Sequence, residues 1–301
     1  MKILTSRICS AFLILICSQN SLAFTVKISG EGGLIGEKAE SQNCKALEEE
    51  AFTTNAGGTV YSSDQAYSGS RSIKMTIKEG STGFGSFGGT LQFGKCEHIA
   101  GSDLVKGDEI WIRTRMYFPK GFEFNQGRNK FMRLRTYNII DGKRISEGYN
   151  DLYINGHPEH NNFKPFWFIF EGEQNWYYIG NRDDYFEFGK WKTVELYLKL
   201  DNKKESEGGN ARVRVWVDGK LIGDTGERRT LKTETSYVTY FSLFTWYGNE
   251  GSPKTQSLYL DDFFLTVSTP EATDDYGNHY IGMGNPAKMT SPSSPNNFVV
   301  Q

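Results

Sequence analysis

Cysteine is scarce in this chain, long apolar runs occur in one place only, and neither sign of charge dominates. Each shortage excludes something. Of the four cysteines, Cys9 and Cys17 fall within the first 23 residues. That stretch runs through Lys2 and Arg7, the apolar "AFLILIC" and then "SLA" before Phe24, the charged, apolar and small-residue order of a secretory signal peptide. The run is too short to span a bilayer and nothing later approaches the length needed, so no membrane insertion is expected. A lipobox is lacking too, because Ile16 rather than a small residue precedes Cys17. Cleavage is expected near Ala23 and Phe24, with release to the periplasm or the medium. Cys44 and Cys96 then remain as a pair in an oxidising compartment, where a bridge is favoured over two free thiols. Closing a loop of that length contributes roughly 4 kcal/mol in the chain-entropy picture.

The formal net charge is −2, and it becomes −4 when Lys2 and Arg7 leave with no acid beside them. An acidic balance argues against indiscriminate nucleic-acid binding. No repeat of solenoid or propeller period is present. Helical signal is confined to "CKALEEEAF", residues 44–52, and amounts to one or two turns. Metal-ligand spacing is also wanting. Pro158 excludes a regular helix between His157 and His160, which have no third partner, and Asp261-Asp262 sits in no acidic loop of the EF-hand kind. Gly83, Gly85 and Gly88 satisfy G-x-G-x-x-G but no helix follows, so a nucleotide site fails on context. Neither metal nor cofactor is expected.

What the chain does have is alternation. "RSIKMTIKE", "EIWIRTRMYF", "KFMRLRTY", "DLYING", "WKTVELYLKL", "ARVRVWVDGKLIGDT", "YVTYFSLFTWY" and "SLYLDDFFLTV" repeat with period two between Gly, Asn and Asp punctuation. Asp218-Gly219 is the strongest hairpin signal, since a type I′ turn needs positive φ at both places. Many antiparallel strands without covering helices pack as two sheets or close into a barrel, and uneven run lengths favour a two-sheet antiparallel β-sandwich. The reading is all-β, with a signal peptide over 1–23, one domain over 24–283, and a Pro, Ser and Asn-rich tail over 284–301 outside the core. The protein is expected to act as a monomer.

In "EIWIRTRMYF", Ile110, Ile112, Thr114, Met116 and Phe118 share the inner side. Trp111, Arg113, Arg115 and Tyr117 then point the other way. The next run repeats the habit, with Met132 and Leu134 inside and Phe131, Arg133, Arg135 and Tyr137 outside. "DLYINGH" adds Tyr153, Asn155 and His157, and "YFSLFTWYGN" adds Thr245 or Trp246, then Tyr247 and Asn249. Matching rows of arginine and aromatic residues read as one surface. Guanidinium groups pair bidentately with carboxylate or sulfate, and aromatic faces stack on sugar rings, so the partner expected is an acidic polysaccharide. The competing structural reading pairs the arginines with acids on neighbouring strands. Glu195, Tyr197, Lys199, Arg212, Arg214 and Trp216 are assigned to a back sheet.

The order "GDEIWIRTRMYFP", "KFMRLRTY", "KWKTVELYLKLD", "RVRVWVDGKLI", "YFSLFTWYGN" and "LYLDDFFLTV" resembles the concanavalin A-like jelly-roll polysaccharide lyases, the glucuronan and alginate lyase groups above all. The likeness spans roughly residues 58–268. Arg113-Thr114-Arg115 stands where alginate lyases of this fold carry R-T-E-x-R, and Asn155-Gly156-His157 where they carry Q-I-H. The lysine and glutamine of their Y-x-K-x-G-x-Y-x-Q strand are missing from "YFSLFTWYGN". The resemblance implies a jelly roll whose concave face holds a uronate polymer and cleaves it by β-elimination. A tyrosine beside guanidinium groups is the base or acid expected: Tyr137 next to Arg133 and Arg135, with Tyr247 as rival. His157 would assist, and Arg115 or Arg135 would neutralise the uronate carboxylate. The remaining expected contacts to the polymer are Trp111, Arg113, Tyr117, Arg133, Tyr153, Asn155 and Asn249. Two alternatives stand beside the lyase. One is a non-catalytic, lectin-like binding protein on the same fold; the other is a retaining hydrolase using Glu171 and Glu173, which alternation puts on one face.

Overall fold

The alternating runs become strands. A computed structural model describes residues 24–41, 49–55, 57–83, 87–93, 103–124, 128–156 and 163–284. Within them lie fifteen strands and no α-helix, only single 3₁₀ turns at Arg182–Asp184 and Glu205–Glu207. The helix expected over 44–52 falls mostly on residues 42–48, outside the described residues; beyond them Glu49 and Glu50 form a turn and Phe52 pairs with Glu40. Cys44 and Cys96, the expected bridge, also lie outside the described residues, as do residues 1–23.

Sheet I runs β13 (Lys220–Thr225), β12 (Arg212–Val217), β11 (Trp191–Lys199), β6 (Glu109–Tyr117), β15 (Gln256–Thr266), β4 (Ser72–Ile77) and β3 (Thr59–Ser62), with β1 (Thr25–Ile28) paired to part of β15. Sheet II runs β10 (Tyr177–Ile179), β9 (Phe166–Phe170), β8 (Lys143–Asn155), β7 (Arg128–Ile140), β14 (Tyr237–Trp246), β5 (Gly89–Gln92) and β2 (Thr54–Asn55). Every pairing between these strands is antiparallel. The two inner faces meet in one core. Sheet I supplies Ile110, Ile112, Met116, Val194, Leu196, Val213 and Val215, and sheet II supplies Met132, Leu134, Leu152, Ile154, Phe166, Phe168, Phe241 and Leu243. Each such side chain contributes roughly 1.5–3 kcal/mol on leaving water, which is why the period-two pattern fixes the register.

Asp218 and Gly219, with φ of 48° and 81°, form the expected turn between β12 and β13. Asp141 and Gly142, with φ of 51° and 71°, make a second such turn between β7 and β8. This second turn lets both strands reach 13 residues, so that Ile139, Ile140 and Ile145 lie exposed beyond the core.

The sheets differ in what covers their outer faces. Residues 268–284 lie across sheet I and build a second apolar cluster of Trp111, Tyr197, Trp216, Phe264 and Ile281, with Leu221 and Tyr280 against it. The outer side of sheet II carries an aromatic cluster in which Tyr153, Trp167 and Ile169 are buried and Trp176 and Trp246 are partly exposed.

Candidate functional site

The register of sheet II sets side chains from five strands into rows across its outer face. One row runs Trp167, Tyr153, Lys130 and Trp246. The next runs Ile169, Asp151, Arg133, Ser242 and Thr90. The third sets Tyr149, Arg135, Tyr240 and Gln92 side by side, and the fourth Ser146, Tyr137 and Tyr237. Rows two residues apart along a strand are separated by roughly 7 Å, so the face is about 20 Å long.

Irregularities in β14 make this possible. A register shift between Val238 and Tyr240 turns both Tyr237 and Tyr240 to the outer side despite their odd spacing, and another between Leu243 and Trp246 goes with positive φ, 50°, at Phe244. A shift in β7 between Lys130 and Met132 sends Phe131 inward against Phe244, correcting its expected place beside Arg133.

In the second row Arg133 is buried and bidentate to Asp151, at 2.6 and 3.2 Å, and also donates to Thr245 Oγ1 at 3.3 Å. Lys130 lies 2.8 Å from Glu171 and 3.3 Å from Asp151. Burial pushes the Asp151 carboxyl up, against the pull of Arg133 and Lys130. Burial also presses on Glu171, but Lys130 and Arg133 prevail and hold it below the usual carboxylate range. Two cations meet two anions here, so this row is electrically closed.

The third row is open. Arg135 donates from Nη1 to Tyr240 Oη at 2.8 Å and from Nε to Ser146 Oγ at 3.2 Å, and no carboxylate pairs with it among the described residues. Tyr240 Oη and Tyr149 Oη share a hydrogen bond of 3.2 Å. The Arg135 guanidinium also lies 4.7 Å from the Tyr137 ring centre, with Arg144 on that ring at 3.9 Å. Tyr137, the tyrosine expected as base or acid beside guanidinium groups, is not held below the ordinary phenol value by them. Instead it is raised: burial comes first and Tyr240 adds to it, outweighing Arg135 and Arg144. Burial likewise raises Tyr149, against Arg133 and Arg135.

Several residues expected in one surface are not brought together. Trp111, Arg113, Arg115 and Tyr117 belong to β6 in the other sheet, between β11 and β15. Alternation put them opposite their apolar row correctly, but residues 268–284 cover that side. Trp111 Nε1 donates to His279 O at 3.0 Å, and Arg113 donates to the carbonyls of Gly282 and Gly284 at 2.5 and 2.9 Å. Arg115 pairs with Asp262, donates to Met283 O at 2.7 Å and lies 3.9 Å from the Tyr67 ring centre. Arg113 and Arg115 are 0% and 2% exposed, which removes them from any polymer-binding face. Tyr117 packs edge-on to Tyr259 and tilted on Trp191.

Tyr247 is buried at one end of the sandwich, where it donates to Glu123 O, accepts from Gln256 Nε2 at 2.9 Å and packs edge-on to Phe87. It is a core residue and no rival to Tyr137. Asn155 is buried, donating to Lys164 O and Tyr185 Oη at 3.0 Å each. Asn249 is exposed in the turn after β14, and His157 lies outside the described residues. Tyr153 does lie on the open face, and Glu173 accepts from Arg229 N at 3.4 Å.

Sequence reasoning missed Tyr149, Tyr240, Lys130, Trp167 and Trp176. The signal for Tyr149 was legible, since it continues the phase of Asp151 and Tyr153 two places upstream. Tyr240 was hidden by the bulge.

No protein-family model and no curated protein sequence matches the chain. Solved structures do. A variant of the alginate lyase Aly36B in complex with an alginate trisaccharide superposes with a TM-score of 0.54 at 13% identity, over 80% of this chain and 97% of that one. The marine PL-14 alginate lyase from Aplysia kurodai gives 0.51 at 13% identity, over 82% and 100%. The endo-β-1,4-glucuronan lyase of the fungus Trichoderma reesei gives 0.50 at 12%, over 81% and 95%. Likeness at such low identity is likeness of fold, and on that ground the chain folds as the jelly-roll polysaccharide lyases do.

Proposed function

We propose that this chain is an exported polysaccharide lyase that cleaves a uronate-containing polymer by β-elimination on the open face of sheet II. The observation that carries the reading is Arg135, a cation with no carboxylate partner among the described residues, bonded to Tyr240 Oη, which in turn meets Tyr149 Oη. Its remaining fork suits a sugar carboxylate, where it stabilises the charge that develops as the C5 proton leaves. Tyr240 is the base by position. Acting as its phenolate, it takes the C5 proton, the electron pair of the C–H bond forms the C4–C5 double bond, and the C4–O bond breaks with its oxygen taking a proton from Tyr149. Tyr149, held above the ordinary phenol value by burial, keeps the proton that the leaving oxygen requires. Tyr137 flanks the same guanidinium, and His157 keeps its assisting role in the proposal. Trp176 and Trp246, partly exposed against the buried Tyr153 and Trp167, supply faces for neighbouring rings.

A second reading, binding without cleavage, draws on the raised phenols of Tyr137, Tyr149 and Tyr153, none of which is poised to lose its proton. The hydrolase reading loses ground, because residues 171–174 form a turn rather than a strand, and Glu171 bonds Lys130 at 2.8 Å whereas Glu173 accepts from Arg229 N at 3.4 Å. Ultraviolet absorbance decides between the first two. Incubation with polyglucuronate, alginate, pectate or a sulfated glycosaminoglycan is expected to produce the conjugated unsaturated uronate with one of them. Binding with no new absorbance would favour the lectin-like reading.

A further inference from the structure

The Lys130 ammonium sits on the open face among three rings, 5.7 to 5.9 Å from the centres of Tyr149, Tyr153 and Trp246. Such a place suits an acidic sugar, with aromatic faces for the ring and a cation for its carboxylate. Yet a carboxylate of the protein already fills it. Glu171 reaches Lys130 at 2.8 Å and the outer nitrogen of Arg133 at 3.5 Å.

Glu171 is not required to satisfy Arg133, which Asp151 grips with both oxygens at zero exposure. It differs from Asp151 in setting as well. Asp151 lies in the middle of β8, whereas Glu171 follows the last residue of β9 and opens a turn that includes Gln174 at positive φ, 55°. Its side chain is 27% exposed where that of Asp151 is 0%. The pair is half-buried, with the Lys130 side chain 17% and that of Glu171 27% exposed, so water reaches both partners and an incoming anion can exchange with Glu171.

We propose that Glu171 is a built-in competitor for substrate carboxylate: it occupies the anion position at Lys130, and a uronate of the polymer displaces it. The inference rests on the acidic-polymer reading above but not on the elimination step. Lys130 and Arg135 then hold carboxylates at two places on one face, which selects a polymer charged at more than one residue over a neutral one.

Calorimetric titration of polyglucuronate and alginate into the wild type and Glu171→Gln tests this. Removing the competing charge is expected to tighten binding about three- to tenfold, a change of the size one partly screened charge makes. Neutral cello-oligosaccharides are expected to show no gain, and Lys130→Gln added to Glu171→Gln is expected to abolish it. Equal or weaker binding by a variant that melts like the wild type overturns the proposal, as does a gain that survives loss of Lys130, or no binding of either polymer by either protein. Should Glu171→Gln melt well below the wild type, Glu171→Asp draws the charge back by one methylene and is expected to shift affinity in the same direction; no shift there overturns it equally. Absorbance in the same samples reads elimination separately. Tighter binding with no unsaturated product sustains Glu171 as competitor and rejects the lyase reading, and product without tighter binding does the reverse.

Discussion

Four arginines alternate with apolar residues in two runs, and the structure gives them different work. Beneath residues 268–284 Arg113 is buried on the carbonyls of Gly282 and Gly284 and Arg115 on Asp262, Arg133 is closed by Asp151, and Arg135 lies partly exposed on sheet II with no carboxylate paired to it among the described residues. The difference predicts opposite responses to one substitution. Arg135→Ala is expected to lower the elimination rate about 100-fold or more, because it removes the group facing the developing charge, while the melting temperature stays close to wild type. Arg115→Ala is expected to destabilise the protein by about 3–5 kcal/mol, since Asp262 is left buried without its counter-ion. Urea unfolding and absorbance rates on both variants check the pair, and a stable, inactive Arg115→Ala would contradict this division. Alternation was able to say that each arginine lies opposite its apolar row. It was unable to say that one row faces water and the other faces the protein's own C-terminal segment, because that depends on residues more than 160 places away.

Strands and their connections were legible where the signal is local. Asp218-Gly219 marked its turn, and Asp141-Gly142 carries the same signal between β7 and β8. The bulges of β14 were not legible, as they shift phase without changing composition and follow from pairing with β7. Residues 268–284 were legible as chain inside the domain but not as a cover. Their part is testable by ending the chain after Ser268, which exposes Trp111, Tyr197, Trp216 and Phe264 and leaves Glu195 without the N–H groups of Ile281 and Gly282. Loss of that apolar burial is expected to lower unfolding free energy by at least about 3 kcal/mol. Polymer binding by the folded fraction should persist, because the open face belongs to sheet II. A truncated protein that unfolds at the same urea concentration as the full chain would show that the cover adds nothing.

For the whole molecule, a period-two pattern states which side of a strand is wet but not which sheet the strand joins, so β6 and β7 were merged into one surface although they lie in opposite sheets. Their separation also separates the ionisable groups, and that division governs stability against pH. On sheet I, burial pushes Glu195 up to about 7 despite Arg113 and two backbone N–H donors, and pushes Asp261 up to about 7 despite those of Tyr67 and Ser68. Unfolded carboxyls titrate near 4. A folded value above the unfolded one means that the native state binds the extra proton, so the stability these groups contribute is complete below about pH 4 and declines as pH rises through 7. Each can account for about 4 kcal/mol across that window. Glu171 on sheet II acts in the other direction, its lowered value giving stability above the unfolded range that is lost as pH falls through the folded one. The melting temperature is therefore expected to peak near pH 5 and fall towards pH 8, with Glu195→Gln and Asp261→Asn each flattening the alkaline side. A melting temperature that climbs from pH 5 to 8, or an unchanged slope in the double variant, would mean that both carboxylates are held ionised by their N–H donors and that burial on sheet I is the weaker influence.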